Sequence, residues 1–361
     1  MADKAAVRDE ASRLMSLFRA AGAARVEAPV LLPADLLLDL YGEDIRGRAF
    51  TTSDPLRGEM MLRPDFTVPV VRMHMQGGAA PARYAYTGEV FRRQEGAADR
   101  PSEYVQVGYE LFDGADPAAS DAEVFALFAR VLAPFGARVA TGDIGILTAA
   151  VSGITGSEQR KRALMRHIWR PRRFRELLDR FGGTQPVPPA RAALLAAAAP
   201  LNPAAPAIGL RTEEEVLERI ARLRAEASEP AVPASELRLL DDILAMDGGA
   251  ASALVALRGL AGDMPALTGA VDRFAARLDA LASAGVDVEA LAFEASFGRT
   301  SMEYYDGFVF GFMAPDRPDL PPMATGGRYD ALTRVLGQGQ EIPAVGGVVR
   351  PDVLLAAGGV G

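Results

Sequence analysis

Strand-like sequence occurs in two blocks separated by a long helical segment, and this division constrains the fold most. Residues 24–113 consist of short β-like runs broken by turn residues, and similar runs return from about residue 291. Between about residues 145 and 285 the sequence is instead rich in Ala, Leu, Arg and Glu at helical spacing, with proline-rich breaks. We therefore predict one sheet that is discontinuous in sequence, with α-helical material inserted in its middle.

The clearest strand pattern covers residues 104–111. Its alternation places Gln106, Gly108 and Glu110 on one face and apolar side chains on the other. Such a pattern favours an antiparallel sheet with one polar face. A helix should follow, since Ser120 as N-cap and Glu123 three residues later have the spacing of a capping box.

Composition excludes several classes of site. The chain has no cysteine, so disulfides, thiolate metal sites and cysteine nucleophiles are excluded. Its two histidines, His74 and His167, lack metal-site spacing, and neither a Gly-x-Gly-x-x-Gly nor a P-loop motif occurs. We expect no metal and no cofactor.

The charge balance and the hydropathy indicate the compartment and the class of partner. The chain has 39 basic and 47 acidic residues, a formal charge of −8, with no apolar run near the ~20 residues that span a bilayer. We expect a cytoplasmic protein without membrane contact. Residues 160–180 hold nine Lys or Arg against two acidic residues, which fits a nucleic-acid site, a solvated helix face or an anionic subunit contact. The overall acidity disfavours nucleic acid.

Two early clusters carry groups that can bind a small zwitterion. Asp65 and Thr67 lie two residues apart and can accept hydrogen bonds from an ammonium group, or can cap the next helix. The Arg92 guanidinium suits a carboxylate or phosphate, or a surface ion pair. Gln106 and Glu110, four positions apart on one strand face, predict an acidic pocket floor.

Two later clusters combine aromatic residues with turn residues. They are Tyr304-Tyr305, within residues 303–307, and Tyr329, within the Gly-Gly-Arg-Tyr-Asp run at 326–330. Paired glycines allow close approach, and a tyrosine offers an aromatic wall and a hydroxyl. Taken separately, each cluster is typical of a turn with a core aromatic.

In this order the four clusters resemble the motifs of the histidyl-tRNA synthetase catalytic domain, over about residues 10–145 and 288–355. The resemblance implies an α+β fold, a class II aminoacyl-tRNA synthetase-like antiparallel sheet flanked by helices. It divides the chain into a core of residues 1–145 and 288–361 and a mainly helical insertion of 146–287. Six residues follow Leu355, so we expect no C-terminal anticodon-binding domain.

The resemblance also implies that histidine is the ligand. Asp65, Thr67 and Gln106 would hold its α-amino group, and Glu110 with two tyrosines would surround its imidazole. This agrees with the chemistry, because an ammonium needs acceptors and an imidazole suits a carboxylate and aromatic faces. The expected histidine-binding set is Asp65, Thr67, Arg92, Gln106, Glu110, Tyr304, Tyr305 and Tyr329.

The sequence departs from the synthetases at two arginines that serve ATP chemistry. The first register holds Thr300, and Arg299 is one residue too early, which on a strand would direct it to the opposite face. The second register holds Val353, and Arg350 could substitute only with a shifted helix. Losing a cation where negative charge develops removes about 3–4 kcal/mol of transition-state stabilisation, so we expect no catalytic residues.

What remains resembles the regulatory subunits of ATP phosphoribosyltransferase, a synthetase-like family. The resemblance implies a non-catalytic homodimeric unit in a hetero-oligomer, which activates a short catalytic subunit and relays histidine feedback at the first step of histidine biosynthesis. The alternative is a histidine-activating or aminoacylating enzyme, which Arg92, Gln106 and Glu110 support. The sequence leaves open whether histidine binds the inherited pocket or a subunit boundary.

Overall fold

The computed structural model describes residues 3–41, 45–93, 101–201, 209–299 and 304–358. The α-helices in these ranges are α1 (Lys4–Ala20), α2 (Ala34–Tyr41), α3 (Ile45–Arg48), α4 (Thr67–Met75), α5 (Pro117–Leu132), α6 (Ile144–Gly153), α7 (Glu158–Arg166), α8 (Pro171–Phe181), α9 (Pro189–Ala196), α10 (Glu213–Ser228), α11 (Ala234–Leu244), α12 (Ala250–Asp263), α13 (Thr268–Ser283), α14 (Asp330–Leu336) and α15 (Pro351–Ala356). The strands are β1 (Ala24–Arg25), β2 (Leu31–Pro33), β3 (Thr51–Asp54), β4 (Gly58–Leu62), β5 (Ala82–Phe91), β6 (Glu103–Phe112), β7 (Arg138–Asp143), β8 (Asp247–Gly249), β9 (Ala292–Glu294), β10 (Phe308–Met313), β11 (Ala324–Arg328) and β12 (Ala344–Val349).

The large sheet joins the two strand-rich blocks of the sequence. Over the described ranges its order is β1-β5-β6-β12-β11-β10-β7-β9-β8, and β2, β4 and β3 form a small separate sheet. β6 from the first block pairs with β12 from the second, so the blocks meet in the middle of the large sheet. The predicted antiparallel sheet is confirmed, with parallel pairing between β1 and β5 and between β7 and β9.

The predicted helical insertion is also confirmed. Helices α6 to α13 follow one another between β7 and β9, with the short strand β8 among them. The boundaries at residues 145 and 288 and the expected lack of an anticodon-binding domain stay predictions.

The start of α5 differs from the prediction. The helix begins at Pro117, and the side chain of Asp116 accepts hydrogen bonds from the N–H groups of Ala118 and Ala119, each at 3.0 Å. Asp116 is a better N-cap than Ser120 because Pro117 follows it directly. A proline at the first helical position already has the φ angle of a helix. The Ser120 N-cap was therefore wrong, and both Ser120 and Glu123 lie inside the helix.

One face of the sheet packs against helices α1 and α5. Phe18 of α1 meets Tyr109 of β6 edge to face at 5.5 Å, and Phe128 of α5 meets Phe310 of β10 at 5.6 Å. Burying each phenylalanine stabilises the fold by about 1.5–3 kcal/mol. This packing leaves the opposite face of β6, with Gln106 and Glu110, for the polar site.

Candidate functional site

Glycines on β6 and on the neighbouring strand β12 leave space on the polar face of the sheet. Gly346 on β12 pairs with Glu110, and a Cβ at Gly346 would lie 1.6 Å from Glu110 Oε2. A Cβ at Gly108 would lie 2.1 Å from the Tyr86 ring. Only glycine at these two positions lets the Glu110 carboxylate and the Tyr86 ring lie against the sheet.

Glu110 lies in a cage of three hydroxyl groups. Its Oε1 accepts hydrogen bonds from Thr67 Oγ1 and Tyr86 OH, both at 2.8 Å, and its Oε2 accepts one from Tyr329 OH at 2.6 Å. Complete burial raises the pKa of Glu110 to about 7, although the three hydroxyl donors act in the opposite direction. Oε2 keeps a second lone pair for another donor.

Tyr86 is part of this cage and was not among the predicted site residues. Its ring stacks on Phe66 at 4.5 Å, and its pKa is raised well above the usual value because it is buried beside the Glu110 carboxylate. The sequence signal is the strand-like Tyr-Ala-Tyr run at residues 84–86, whose alternation turns Tyr86 to a defined face. Only the pairing of Tyr86 with Gly108 shows that this is the face of Glu110.

Gln106 lies four residues before Glu110 on the same face of β6 and has an unsatisfied buried amide. The residue is fully buried, and neither its Oε1 nor its Nε2 has a hydrogen-bond partner within the part of the chain that the structure describes. An unpaired buried amide costs about 1–3 kcal/mol. Its polar atoms are therefore suited to a ligand that supplies both an acceptor and a donor.

Of the two interpretations of the Asp65–Thr67 motif, the structure shows the helix cap, and the binding of an ammonium group stays a prediction. Asp65 Oδ1 accepts a hydrogen bond from the N–H of Val68 at 3.2 Å in the first turn of α4, so it caps this helix. Thr67 gives its hydroxyl proton to Glu110, and the hydroxyl oxygen can still accept a hydrogen bond. Both side chains are buried.

The three predicted tyrosines lie together. Tyr304 meets Tyr305 at 5.0 Å and Tyr329 at 6.1 Å, in both cases edge to face. A Cβ at Gly327 would lie 2.8 Å from the Tyr305 ring, so this ring also lies against the sheet. Burial and the carboxylates of Glu110 and Asp65 raise the pKa of Tyr305, which keeps its hydroxyl protonated.

The cations near the site differ in orientation. Arg92 is half-buried, and its Nε donates to the carbonyl oxygen of Pro64 at 2.7 Å. Arg350 lies between β12 and α15, and its positive charge acts on the pKa of Tyr305 without any shift of the helix. Whether Arg350 could replace the second ATP-binding arginine of the synthetases only with a shifted helix stays a prediction.

Arg299 faces the helical insertion. Its Nε donates to the carbonyl oxygen of Ile168 at 2.8 Å, and its guanidinium lies 4.9 Å from the centre of the Phe174 ring. Burial and the nearby Arg175 lower the pKa of Arg299 to about 10. Residues 295–299 form a turn, so the expectation that strand alternation sets the orientation of Arg299 is wrong. Its contacts with Ile168 and Phe174 orient the side chain instead.

Thr300 and Glu303 lie outside the described residues. Val353 is buried in α15, where a valine offers no charge to a nucleotide.

A buried ion-pair network lies behind the tyrosines. Arg328 on β11 donates from Nη2 to Asp121 Oδ1 at 2.7 Å, and Arg277 on α13 donates to Asp143 from both Nη groups and lies 3.5 Å from Asp121. Asp306, next to Tyr305, accepts hydrogen bonds from two backbone N–H groups at the start of α14, at 3.1 and 2.5 Å. The network ties the insertion helix α13 to the strand that precedes Tyr329.

Several cations of the basic segment, residues 160–180, form contacts within the chain. Arg160 donates to the carbonyl oxygen of Pro230 at 2.6 Å, Arg175 pairs with Asp241 at 2.5 Å, and Arg180 pairs with Glu226 at 3.1 Å. Further cations on α7 and α8, such as Arg162 and Arg172, are exposed. The expectation that no nucleic acid binds stays a prediction.

The described part of the molecule contains neither a candidate metal cluster nor a candidate membrane span. Over these ranges, no group of three or more His, Asp or Glu side chains is placed to hold a metal ion. No helix there is both long enough and apolar enough to cross a membrane.

Known proteins are similar to this chain in sequence and in fold. The histidyl-tRNA synthetase family matches residues 2–215 and 213–354. A structure titled as an ATP phosphoribosyltransferase regulatory subunit/histidyl-tRNA synthetase from Bacillus halodurans superposes with a TM-score of 0.67 at 23% identity, covering 99% of this chain and 81% of that one. A histidyl-tRNA synthetase from Nostoc superposes with a TM-score of 0.62 at 17% identity, covering 97% and 70%. These two structures show the fold.

Fold and site thus define a class II synthetase-like protein of the histidyl-tRNA synthetase family. An ATP phosphoribosyltransferase regulatory subunit from Brucella canis is 35% identical over 356 residues, covering 92% of this chain and 93% of the relative. The corresponding protein of Brucella suis shows the same values. The chain belongs to the family of ATP phosphoribosyltransferase regulatory subunits.

Proposed function

We propose that the chain is a non-catalytic regulatory subunit, which activates a short ATP phosphoribosyltransferase catalytic subunit and relays feedback inhibition by histidine. The names of its relatives support the regulatory assignment. The observation that carries the sensor function is the Glu110 cage beside the unsatisfied amide of Gln106. This arrangement places buried hydrogen-bonding groups on one face of the sheet, where they can bind a polar ligand.

Histidine fits the chemistry of this pocket. Its ammonium group matches the acceptors of Asp65, Thr67 and Gln106. Its imidazole N–H matches the remaining lone pair of Glu110 Oε2, with the Tyr305 and Tyr329 rings as aromatic walls. Charge-assisted bonds of this kind contribute about 1.5–3 kcal/mol each, so loss of the Glu110 carboxylate should weaken binding markedly.

The position of Arg299 supports the non-catalytic part of the proposal. Its guanidinium bonds to the insertion and stacks near Phe174, so it is not available to an activated carboxylate or α-phosphate. A synthetase needs cations where negative charge develops. We therefore expect neither histidine activation nor phosphoribosyl transfer by the isolated chain.

Feedback requires that histidine bind one state of the complex more tightly than another. Coupling free energies of this kind are about 1–3 kcal/mol. The ion-pair network from Tyr329 through Arg328 and Asp121 to Arg277 on α13 offers a physical connection between pocket and insertion. We further propose that the regulatory unit is a homodimer within the hetero-oligomer.

A reconstituted ATP phosphoribosyltransferase assay tests the proposal. The catalytic subunit is assayed alone, with this chain, and with this chain plus L-histidine. We expect higher turnover with the chain and inhibition by histidine. No complex on gel filtration, or unchanged turnover, would contradict the regulatory assignment, and ATP–pyrophosphate exchange by the isolated chain would support the synthetase-like alternative.

Calorimetry of L-histidine with Glu110→Ala and Glu218→Ala separates pocket from surface effects. Glu218 is an exposed residue of α10 that pairs with Arg222. We expect Glu110→Ala to weaken histidine binding at least 10-fold and Glu218→Ala to leave it unchanged. Equal affinities for both variants would place histidine elsewhere, for example at a subunit boundary.

A further inference from the structure

Arg350 directly follows the last residue of β12, which pairs with β6. In the β6–β12 ladder Val107 pairs with Val349 and Gly108 with Val348, and continuing this register by one residue sets Arg350 opposite Gln106. Directly opposed residues of an antiparallel pair share a face. Arg350 is therefore on the same side of the sheet as Glu110.

The hydrogen bonds of Arg350 go to neutral groups, so no hydrogen-bonded anion balances its positive charge. Its Nη1 donates to the carbonyl oxygen of Pro322 at 2.7 Å, and its Nη2 reaches Thr325 Oγ1 at 3.4 Å. Both partners are neutral, and no carboxylate of residues 3–41, 45–93, 101–201, 209–299 or 304–358 forms an ion pair with Arg350. Burial lowers its pKa most and the positive charge of Arg92 acts in the same direction, whereas Tyr104, Tyr305 and the Asp352 carboxylate, which is not in contact with the guanidinium, act against it. A half-buried guanidinium in such surroundings favours a bound anion.

Gln106 can serve two charged groups of one ligand. Its amide oxygen accepts a hydrogen bond and its amide nitrogen donates two. An α-amino acid carries an ammonium and a carboxylate on the same carbon, so the two ends of the amide can bind one each. The ammonium then lies towards Asp65 and Thr67, and the carboxylate towards Arg350.

We propose that Arg350, assisted by the amide nitrogen of Gln106, binds the α-carboxylate of the amino acid held in this pocket. The inference rests on the proposed function, because it assumes that the Glu110 pocket takes an amino acid. The carboxylate would thus be bound at the end of β12. In the synthetases the corresponding arginine lies at the position that Thr300 occupies in this chain. Arg350 is thus a specificity residue for zwitterions over amines.

Paired titrations of L-histidine and histamine test this assignment, since histamine has the imidazole and the ammonium but no carboxylate. In calorimetry, Arg350→Gln should weaken histidine binding about 10- to 100-fold and change histamine binding less than about 2-fold. Arg350→Lys should recover part of the histidine affinity, because it keeps the charge but not the fork. Arg317→Gln, which alters an exposed arginine bonded to the end of α15, should change neither.

A second variant, Gln106→Glu, should change the affinities for histidine and histamine in opposite directions. Gln106→Glu keeps the shape of the side chain, attracts the ammonium and repels the carboxylate. It should weaken histidine binding and strengthen histamine binding. A folding defect would weaken both, so histamine affinity reports the integrity of the pocket.

The outcomes separate this inference from the proposed function. If the unaltered chain binds no histidine, the proposed function fails and the carboxylate assignment with it. If it binds histidine but Arg350→Gln weakens both ligands equally, or neither, the assignment alone is overturned. Loss of pyrophosphate binding in Arg350→Gln with unchanged histidine affinity would also overturn it, because the cation would then serve a phosphate.

Discussion

Removing the Tyr86 hydroxyl should raise the pKa of Glu110 by about one unit. This hydroxyl lies 2.8 Å from Glu110 Oε1 and stabilises the carboxylate form. A hydrogen bond to a charged group contributes about 1.5–3 kcal/mol and a neutral one about 0.5–1.5 kcal/mol, so the midpoints differ by about 1.2 kcal/mol. Since 1.36 kcal/mol corresponds to one pKa unit, Tyr86→Phe should move the Glu110 pKa from about 7 to about 8.

Carbon-13 NMR of chain labelled at the glutamate carboxyl measures this titration, with Glu110→Gln identifying the resonance. Tyr84→Phe is the matched control, because Tyr84 lies on the same strand but its hydroxyl is 3.1 Å from His74 Nδ1. We expect no shift for the control, and histidine affinity of Tyr86→Phe should follow the Glu110 titration. A Glu110 midpoint near 4.5 in the unaltered chain, or equal midpoints in both tyrosine variants, would refute the reasoning.

Three further predictions concern the pH dependence and the packing of the site. Burial raises the Glu110 pKa from 4.5 to about 7, so its contribution to stability is present below pH 4.5 and lost as pH rises through 7. In urea unfolding, Glu110→Gln should therefore gain about 3 kcal/mol relative to the unaltered chain between pH 4.5 and 8, and a constant difference would contradict this. Arg328→Gln should lower the free energy of unfolding by about 3–5 kcal/mol because it removes a buried partner of Asp121; a loss below 1 kcal/mol in the same assay would be inconsistent with the ion pair. Gly346→Ala should cost about 1–3 kcal/mol and weaken histidine binding, because its Cβ would overlap Glu110 Oε2, whereas Gly248→Ala, with nothing within 4 Å, should be nearly neutral; thermal unfolding of both compares them, and equal midpoints would count against the close approach.

The sequence was most informative where the pattern depends on local geometry alone. The alternation around Gln106 and Glu110 is confirmed because side chains of any strand point to opposite faces with a period of two. The prediction that the two strand-rich blocks join in one sheet is also confirmed. Each block contains strands whose backbone groups need a neighbouring strand as hydrogen-bond partner. The proposed histidine roles of these residues stay predictions.

Features that depend on strand pairing were not visible in the sequence. Tyr86 reaches Glu110 only because β5 and β6 pair so that Tyr86 covers Gly108, and nothing in the local sequence sets that register. Arg350 reaches the Gln106 side of the sheet through the register of β12. The start of α5 was misplaced because two capping signals compete within five residues, and the local hydrogen bonds of Asp116 prevail.

The most direct test of the account is histidine inhibition of the reconstituted complex with the Glu110→Ala chain in place of the unaltered one. The account predicts that the histidine concentration for half-inhibition rises at least 10-fold, because the buried carboxylate that should bind the imidazole is gone. An unchanged half-inhibition concentration, with the variant folded and assembled, would contradict the claim that this inherited pocket is the histidine sensor.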